Sequence, residues 1–594
     1  MILNRVRCVI ESSIEAISSF NDRRDIGVKG FLPNKATSVP AMLLALAIGA
    51  AGAAHAQDAT RYPIKHVIVI MQENRSFDQY FGTFPGADGI PPDTCVPLDP
   101  HNPGLGCVKP FHDPHDGNAG GPHGPDSARA DLNDGIKTTR MDGFIYEQLH
   151  ANTKCASNAP NCAGFKGGVE RHDAVGYHTQ EEIPNYWAYA EHFVLQDRLF
   201  EGMRSWSWPS HLELTSEWVA TCTDHSKAST CTTNPNGGDP HPDLKLPWSN
   251  LFQLLDVKGV SWKYYLGVGG EPDCEDDEMT CDPQIQTFGV ASIWNPAPYF
   301  AWVQAKGPTY LKYHNPRVEQ LLFDLRNGKL PKVSWVVPAE PYSEHAPAGV
   351  TRGMEYVTSM VNAVMQSRYW KDTAIFISWD DWGGFYDHVP PPNVDRNDTD
   401  TPIQGFGLRV PGIMISAYAK AGTIDHTVLS FDAYARFIED LFMNGARLDP
   451  KALGNPDKRP DIRDALTHVR FPDGRVEPIG DLMDEFDFKQ TPLQPLVLST
   501  HIPTAITATC GPTSSQHCTQ PTVTVSWASV ADKRVPGPFV YHVTRNNVDL
   551  PQCTGTATSC TDTPGSGVYL YRAYSVDSKG IRSPLSAAAE ADEP

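Results

Sequence analysis

The sequence predicts an α/β fold, with a mostly parallel sheet covered by helices on both faces and a small C-terminal β-sandwich. In the larger part of the chain, continuous apolar runs alternate with runs of helical periodicity, which indicates strands that are buried on both faces. The last ~95 residues instead hold short runs of alternating polarity separated by turn residues, a pattern typical of a sandwich. We therefore expect a leader over residues 1–56 and two folded parts, residues 57–495 and 496–594.

Four strands are predicted in the first folded part. They are mainly apolar, β-branched or aromatic runs at residues 65–71, 332–337, 373–379 and 410–416. Apolar residues at helical spacing predict one helix within residues 354–370 and another over residues 430–443. Residues 85–140 and 222–300 are rich in Gly, Pro, Asn and His, and are predicted to be long insertions that shape the surroundings of a site.

The N-terminal segment has the features of an export leader. Lys29 and Lys35 precede an Ala-rich apolar run, and Ala54-His55-Ala56 then gives the small-x-small pattern of a cleavage site. The alternative is a buried Ala-rich helix. The apolar run is short for a membrane span, so no stable membrane insertion is expected.

Cysteine spacing also favours export. Twelve of the 13 cysteines form close pairs, which are Cys95/Cys107, Cys155/Cys162, Cys222/Cys231, Cys274/Cys281, Cys510/Cys518 and Cys553/Cys560. Each pair flanks a loop-like stretch, which predicts local disulfides formed in an oxidising compartment. Zinc binding is the alternative, but no CxxC spacing is present. We expect a secreted or periplasmic protein.

The net charge excludes one class of partner. The chain carries a formal charge of -21 at pH 7. A nucleic-acid partner needs a basic surface to meet its phosphates, so none is expected. The acidic balance also argues against tight adhesion to anionic lipid. It leaves a phosphate substrate open, because a metal ion can supply positive charge.

Acidic and amide side chains directly follow two of the predicted strands. Glu73 and Asn74 follow the first, and Asp380 and Asp381 follow the third. Such oxygen ligands at the ends of buried strands are suited to a divalent cation. Adjacent carboxylates repel unless a cation or protons compensate for their charge. The alternative in both places is a solvated turn.

A serine-rich segment precedes a helical run. In Ser205-Trp206-Ser207-Trp208-Pro209-Ser210, the proline suits the first turn of a helix and places Ser207 at its N-terminus. Free amide groups at such an end attract phosphate, so Ser207 is a candidate nucleophile activated by a metal. The alternative is an ordinary N-cap serine.

Histidines form the last group of candidates. They are His123, His314, His345 and His426. Any one of them alone has a structural or exposed position as its alternative. Together they could stabilise a phosphoryl group and protonate a leaving oxygen.

Five long motifs resemble a known family. They are KHVIVIMQENRSFDQYFGTFPG, RMDGF, VSWVVPAEPYSEHAP, TAIFISWDDWGGFYDHVPPP and GFGLRVPGIMISAYAKAG. They are similar to the bacterial phosphoesterase family, which includes the non-zinc phospholipases C and an acid phosphatase, over about residues 60–450. The resemblance implies an alkaline-phosphatase-like core, one divalent metal cation of unknown identity, and a Ser/Thr nucleophile that becomes phosphorylated.

The resemblance also implies roles for single residues. Its metal ligands match Glu73, Asn74, Asp380 and Asp381, and its catalytic residues match Ser207, His345, His123 and, as a weaker match, His314. The family usually has Gly-Pro before the nucleophile and Asn after the proline. This chain has Ser205-Trp206 and Ser210 there, so Ser205 and Ser210 remain fallback nucleophiles.

The C-terminal part resembles a fibronectin type III module, chiefly in YLYRAYSVDSKGIRSPLS. This resemblance implies a role in binding a surface or a polysaccharide. No catalytic residue set is visible there.

Two functions follow as expectations. The first is a secreted, metal-dependent hydrolase of phosphoric esters, of the phospholipase C or acid phosphatase type, that acts through a phosphoseryl intermediate. Its substrate is a phosphate ester, with phospholipid as one candidate. The alternative is a secreted binding or adhesion protein whose phosphoesterase-like part is inactive.

Overall fold

The computed structural model describes residues 62–593 with several gaps. Those gaps are residues 134–138, 152–161, 220–243, 274–283, 347, 393–405, 449–452, 454–466, 511–521, 531–536, 579–581, 584 and 587. The predicted leader lies outside the described residues, and so does at least one member of four predicted cysteine pairs. The other two pairs, Cys95–Cys107 and Cys553–Cys560, form disulfides.

A seven-stranded mixed sheet is at the centre of the larger part. Its strands in chain order are β1 (His66–Gln72), β2 (Val194–Gln196), β3 (Trp262–Leu266), β4 (Val333–Val337), β5 (Thr373–Trp379), β6 (Gly412–Ser416) and β7 (Thr423–Asp425). In space they follow the order β7-β2-β6-β5-β1-β4-β3. β1 is parallel to both neighbours, and its residues 67–72 are all buried. Because successive residues point to opposite faces, both faces of β1 are covered.

One strand of this sheet runs against the others. β6 is antiparallel to both β5 and β2, and its first residue Gly412 is paired with Ser378 near the end of β5. The described residues between β5 and β6 contain no helix. β6 begins at the edge where β5 ends, because its first residue pairs with the end of β5, and it runs back across the sheet in the opposite direction. The sheet is mixed, with six strands in one direction.

An edge strand lies where the sequence predicted a long insertion. β3 is paired in parallel with β4, and it lies within residues 222–300, which the sequence predicted to be a long insertion that shapes the surroundings of a site. The run was missed because Lys263 interrupts its apolar pattern. In the fold this lysine is buried and its ammonium pairs with Asp324.

Helices alternate with strands along the larger part of the chain. In the described residues they are α1 (Phe77–Phe81), α2 (Pro125–Leu132), α3 (Phe144–His150), α4 (Cys162–Arg171), α5 (Pro184–His192), α6 (Ser207–Ser216), α7 (Leu251–Val257), α8 (Ala301–Lys306), α9 (Pro308–His314), α10 (Glu319–Asn327), α11 (Val350–Met365) and α12 (Asp432–Phe442). None of these helices has both the length and the apolar character needed to cross a bilayer.

Two of these helices correspond to the predicted ones. α11 begins four residues before the predicted range, and α12 lies within its range. The rings of Tyr434 and Phe437 on α12 lie 5.3 Å from the ring of Phe376 on β5. The apolar residues of α12 therefore recur at helical spacing because they form the helix face that packs on the sheet.

The C-terminal residues form two antiparallel sheets. Their strands are β8 (Thr504–Cys510), β9 (Val523–Ala528), β10 (Val540–Arg545), β11 (Val548–Asp549), β12 (Ser559–Asp562), β13 (Gly567–Val576) and β14 (Ala589–Glu593). One sheet has the order β8-β9-β12 and the other β11-β10-β13-β14. Residues from both sheets, among them Val525 and Tyr571, share one apolar cluster. The assignment to fibronectin type III stays a prediction.

A buried ion pair joins the C-terminal sheets to the larger part. Arg572 of β13 donates to Glu182 Oε1 at 2.5 Å and to the carbonyl oxygen of Glu181 at 3.2 Å. Glu182 Oε2 also lies 2.8 Å from His112 Nε2. Arg572 and Glu182 are both almost completely buried. A second contact lies nearby, where His115 is between Asp113 and Glu590 of β14.

Replacing Arg572 by alanine is expected to lower the free energy of unfolding by about 3 kcal/mol, because Glu182 would keep its buried charge without its main partner. Urea denaturation of the full chain measures this effect. Arg582→Ala is the matched control, since Arg582 is exposed on the same part of the chain and stacks on Tyr574. Equal losses for the two variants would show that the buried pair does not hold the parts together.

Candidate active site

Two pairs of polar residues meet at one edge of the sheet. Glu73 and Asn74 directly follow β1, and Asp380 and Asp381 directly follow β5. The last residues of these parallel strands, Gln72 and Trp379, are in register. The two pairs are consequently adjacent, and Asn74 N donates to Asp380 Oδ1 at 2.9 Å. All four side chains are buried.

Asn74 takes an unusual backbone conformation that fits a close neighbour. Its φ is 61°, in the left-handed region that asparagine tolerates better than most residues. A Cβ atom added to Gly383 would lie 2.6 Å from Asn74 O, and Gly383 itself has φ 60°. Glycine therefore lets the turn after Asp381 pass directly over Asn74.

Helix α6 brings a hydroxyl to the acidic pairs. Ser207 is the first residue of α6, and its Oγ donates to Asp381 Oδ2 at 3.3 Å. No side chain caps this end of the helix. Its first amide groups are therefore oriented to interact with an anionic group. Ser210 lies one turn further and donates to the carbonyl oxygen of Asp380 at 2.7 Å.

Two predicted histidines and an unpredicted aspartate form a second group of polar residues. Nε2 of His123 and Nε2 of His345 lie 3.3 and 3.5 Å from Asp273 Oδ1. Both Nδ1 atoms face backbone carbonyl oxygens, which can only accept, so each Nδ1 carries a hydrogen. His123 Nε2 is also 2.9 Å from Asn74 Nδ2, and this contact connects the second group to the acidic pairs.

His314 lies elsewhere, which corrects its place in the sequence-based set. It ends α9, and its Nδ1 donates to the carbonyl oxygen of Trp262, the first residue of β3. The acidic pairs follow the last residues of parallel strands, so the length of a strand, roughly 15 Å, separates His314 from them. Its ring packs against Trp262 and Tyr310 and serves the core.

Sequence reasoning missed two site residues. His211 lies four residues after Ser207 on α6, and its Nε2 is 3.2 Å from Glu73 Oε1. The i, i+4 spacing places both side chains on one helix face and could have found it. Asp273 follows a short strand, Gly269–Glu271, inside the predicted insertion. No local pattern marks it, because only the fold brings it to His123.

The buried charges perturb one another strongly. Burial and the neighbouring Asp380 raise the pKa of Glu73 well above its ordinary value, and the same two causes raise that of Asp381. Burial would lower the pKa of His123, but Asp381 and Asp273 outweigh it and raise the pKa to about 10. The charges of the clustered carboxylates therefore need compensation by protons or by a cation.

The oxygen atoms present fit a divalent cation. Among the described residues, three buried oxygens of this cluster have no hydrogen-bond partner, and they are Glu73 Oε2, Asn74 Oδ1 and Asp380 Oδ2. Unpaired buried acceptors are costly, and a cation would satisfy them together. Glu73, His211 and Asp380 also offer donor atoms that all lie within 4.8 Å of one another. His123, Asp273 and His345 form a second such group.

Comparison with known proteins gives a family match over most of the chain. The sequence matches the model of the Phosphoesterase family over residues 64–443. It is similar to the non-hemolytic phospholipase C of Pseudomonas aeruginosa, with 25% identity over 469 residues, which span 73% of this chain and 60% of that protein. It is also similar to phospholipase C B of Mycobacterium tuberculosis, with 28% identity over 415 residues, 61% of this chain and 71% of that protein.

A solved structure gives a weaker likeness. A protein in the alkaline phosphatase superfamily from Vibrio parahaemolyticus matches 55% of this chain and 78% of its own chain, with 14% identity and a TM-score of 0.26. That score is too low for the likeness to support an argument.

Proposed function

The chain belongs to the Phosphoesterase family, and from this premise we propose that it is a metal-dependent hydrolase of phosphoric esters with Ser207 as its nucleophile. One observation carries the proposal. The Ser207 hydroxyl lies at an uncapped helix N-terminus and contacts Asp381, beside buried oxygens of Glu73 and Asp380 that have no other partner in the described residues.

The proposed cation site consists of Glu73, Asn74, Asp380 and Asp381, and we propose that it holds one divalent ion. When bound, the ion would supply positive charge that lowers the pKa of the serine hydroxyl and offsets the charge of the phosphoryl oxygens. The free amide groups at the start of α6 would add further stabilisation of that charge.

In the first half of the reaction, Ser207 Oγ attacks phosphorus. The Oγ–P bond forms while the bond from phosphorus to the leaving oxygen breaks, and the serine proton passes to Asp381 Oδ2. His123 gives the proton from Nε2 to the leaving oxygen, and the carboxylate of Asp273 beside this atom favours the charged ring that the step needs. Asp273 holds His123 and His345 in place through their Nε2 atoms.

In the second half, water attacks the phosphoserine and the P–Oγ bond breaks. His123 accepts the proton of the water, and Ser207 regains its proton from Asp381. The neighbours of His123 suit both of its forms. The Asn74 amide donates to the neutral ring, and Asp273 accepts from the charged ring. This pair of partners supports a residue that first gives and then takes a proton.

We propose a phospholipid of phosphocholine type as the substrate, which makes the protein a phospholipase C. The names of the two relatives support this choice over an acid phosphatase. The net charge of -21 favours a zwitterionic head group over an anionic one. The two disulfides support action outside the cytoplasm, in the periplasm or the medium.

Analysis of the products tests this function. The protein is expected to convert phosphatidylcholine to diacylglycerol and phosphocholine, and to cleave p-nitrophenylphosphorylcholine faster than p-nitrophenyl phosphate. Phosphatidic acid and choline as products would contradict the position of bond cleavage. Faster cleavage of the monoester would instead favour a phosphatase, and no turnover of any phosphate ester would favour the binding protein.

A further inference from the structure

A histidine outside the sequence-based set lies against the acidic cluster. His211 is on α6, one turn after Ser207, and it is fully buried. We propose that its Nε2 atom is a nitrogen ligand of the divalent cation, so that the site favours Co²⁺, Fe²⁺ or Zn²⁺ over Mg²⁺ and Ca²⁺. The inference rests on the proposed function only in placing a cation beside Glu73 and Asp380.

The hydrogen bonds of Tyr264 determine which nitrogen of His211 carries a hydrogen. The Tyr264 hydroxyl donates its only hydrogen to the carbonyl oxygen of Trp294 at 2.8 Å. The same hydroxyl lies 3.2 Å from His211 Nδ1, so towards that atom it can only accept. Nδ1 therefore carries the hydrogen, and Nε2 of the neutral ring has a free lone pair.

This lone pair faces two carboxylates. His211 Nε2 lies 3.2 Å from Glu73 Oε1 and 3.8 Å from Asp380 Oδ2. A lone pair and carboxylate oxygens repel one another at these distances unless something positive lies between them. A second hydrogen on the ring, a proton shared by Glu73 and Asp380, or a metal ion would serve. The shared proton would still leave Asn74 Oδ1 without a partner among the described residues.

The unpaired oxygens favour the metal ion. A second hydrogen on His211 could serve only one acceptor, Glu73 Oε1. It would leave Glu73 Oε2, Asp380 Oδ2 and Asn74 Oδ1 still without partners among the described residues. An ion can bind several of these donors at once, which accounts for the whole group.

The distances between donors are consistent with one shared ion. Bonds of about 2.0–2.2 Å place neighbouring ligand atoms ~3.0–3.5 Å apart around an ion. The observed 3.2 and 3.8 Å from His211 Nε2 lie close to that range. A metal-bound histidine usually donates its other ring hydrogen to a fixed acceptor, and Tyr264 provides that acceptor here.

A nitrogen ligand changes which ions the site prefers. Carboxylate and amide oxygens alone suit Mg²⁺, Ca²⁺ and Mn²⁺, whereas imidazole strengthens the binding of Fe²⁺, Co²⁺ and Zn²⁺. The acidic residues predicted from the sequence leave the identity of the ion open. A nitrogen ligand from His211 narrows the ions that the site prefers to Fe²⁺, Co²⁺ and Zn²⁺.

Metal titrations of the full chain test the inference. The protein is stripped with a chelator and titrated with Co²⁺ alone and with Mg²⁺ alone by calorimetry. For His211→Gln we expect the Kd for Co²⁺ to rise about 10- to 100-fold and the Kd for Mg²⁺ to change less than about threefold. His314→Gln is the matched control, because His314 lies away from the site, and it should change neither value.

An unchanged Co²⁺ affinity in His211→Gln would overturn the inference, and so would wild-type protein that binds Mg²⁺ as tightly as Co²⁺. If the variant does not fold, pulsed EPR of Mn²⁺-loaded wild type replaces it. Labelling histidine with ¹⁵N should alter the nitrogen coupling, and no histidine coupling at all would overturn the inference. A failure here leaves metal-dependent, Ser207-dependent turnover standing, so the proposed function is tested separately.

Discussion

Replacing Ser207 by alanine is expected to lower turnover of p-nitrophenylphosphorylcholine by at least about 10³-fold, a loss of about 4 kcal/mol in transition-state stabilisation. The reason is that the variant has no oxygen to form the bond to phosphorus. The cation should remain bound, because the three oxygens without partners belong to other residues. Metal analysis of the purified variant checks this second expectation.

Two neighbouring serines provide the controls for this result. Ser205→Ala and Ser210→Ala are expected to keep turnover within about tenfold of the wild type. The Ser210 hydroxyl already donates to the carbonyl oxygen of Asp380, which gives it a structural role. Rapid quenching followed by mass spectrometry should find a phosphoryl group on Ser207. A phosphoryl group on Ser205 or Ser210 would move the nucleophile there.

Replacing Asp380 by asparagine is expected to weaken cation binding about 100-fold or more. Asparagine keeps an oxygen for the amide of Asn74, but it loses the charge and one oxygen at the position of Oδ2. Turnover should fall with cation occupancy. A chelator should likewise abolish turnover of the wild type, and added divalent cation should restore it.

The same change should have the opposite effect on the metal-free protein. Asp380 raises the pKa values of Glu73 and Asp381, so removing its charge relieves repulsion among buried carboxylates. The melting temperature of the metal-free variant should therefore rise by about 2 °C. Calorimetry with and without cation measures both effects.

Asp387→Asn is the matched control for this experiment. Asp387 is also a buried aspartate, but Arg409 already donates to its Oδ1 at 2.9 Å. This variant should be less stable with or without cation, because it leaves the charge of Arg409 with one partner fewer. Wild-type cation affinity in Asp380→Asn, or turnover that survives the chelator, would refute the acidic site.

Part of the fold follows directly from local sequence. β1 and β5 are unbroken apolar runs that lie at the middle of the sheet, and their predicted ends agree with the structure to within one residue. Because Glu73 and Asp380 directly follow those runs, their places at the sheet edge could also be predicted. A strand that is buried on both faces of a sheet is apolar along its whole length, and this makes its position predictable from the sequence.

Other parts depend on contacts that no local pattern contains. β3 lies at the edge of the sheet, and its buried Lys263 is tolerated only because Asp324 lies beside it. The direction of β6 depends on how the chain returns from β5, not on its own residues. Asp273 follows a short strand inside the predicted insertion, so its contact with His123 becomes visible only in the fold.

The buried pair of Arg572 and Glu182 limits how the two folded parts can be recombined. If the larger part were fused to an unrelated C-terminal domain, Glu182 would stay buried without the guanidinium group of Arg572 that now pairs with it. Chimeras that carry the C-terminal sheets of another protein should therefore fold poorly, unless that protein supplies an arginine at the position of Arg572 or Glu182 is replaced at the same time. The C-terminal sheets are thus matched to the larger part, and exchanging them between proteins needs compensating substitutions in both parts.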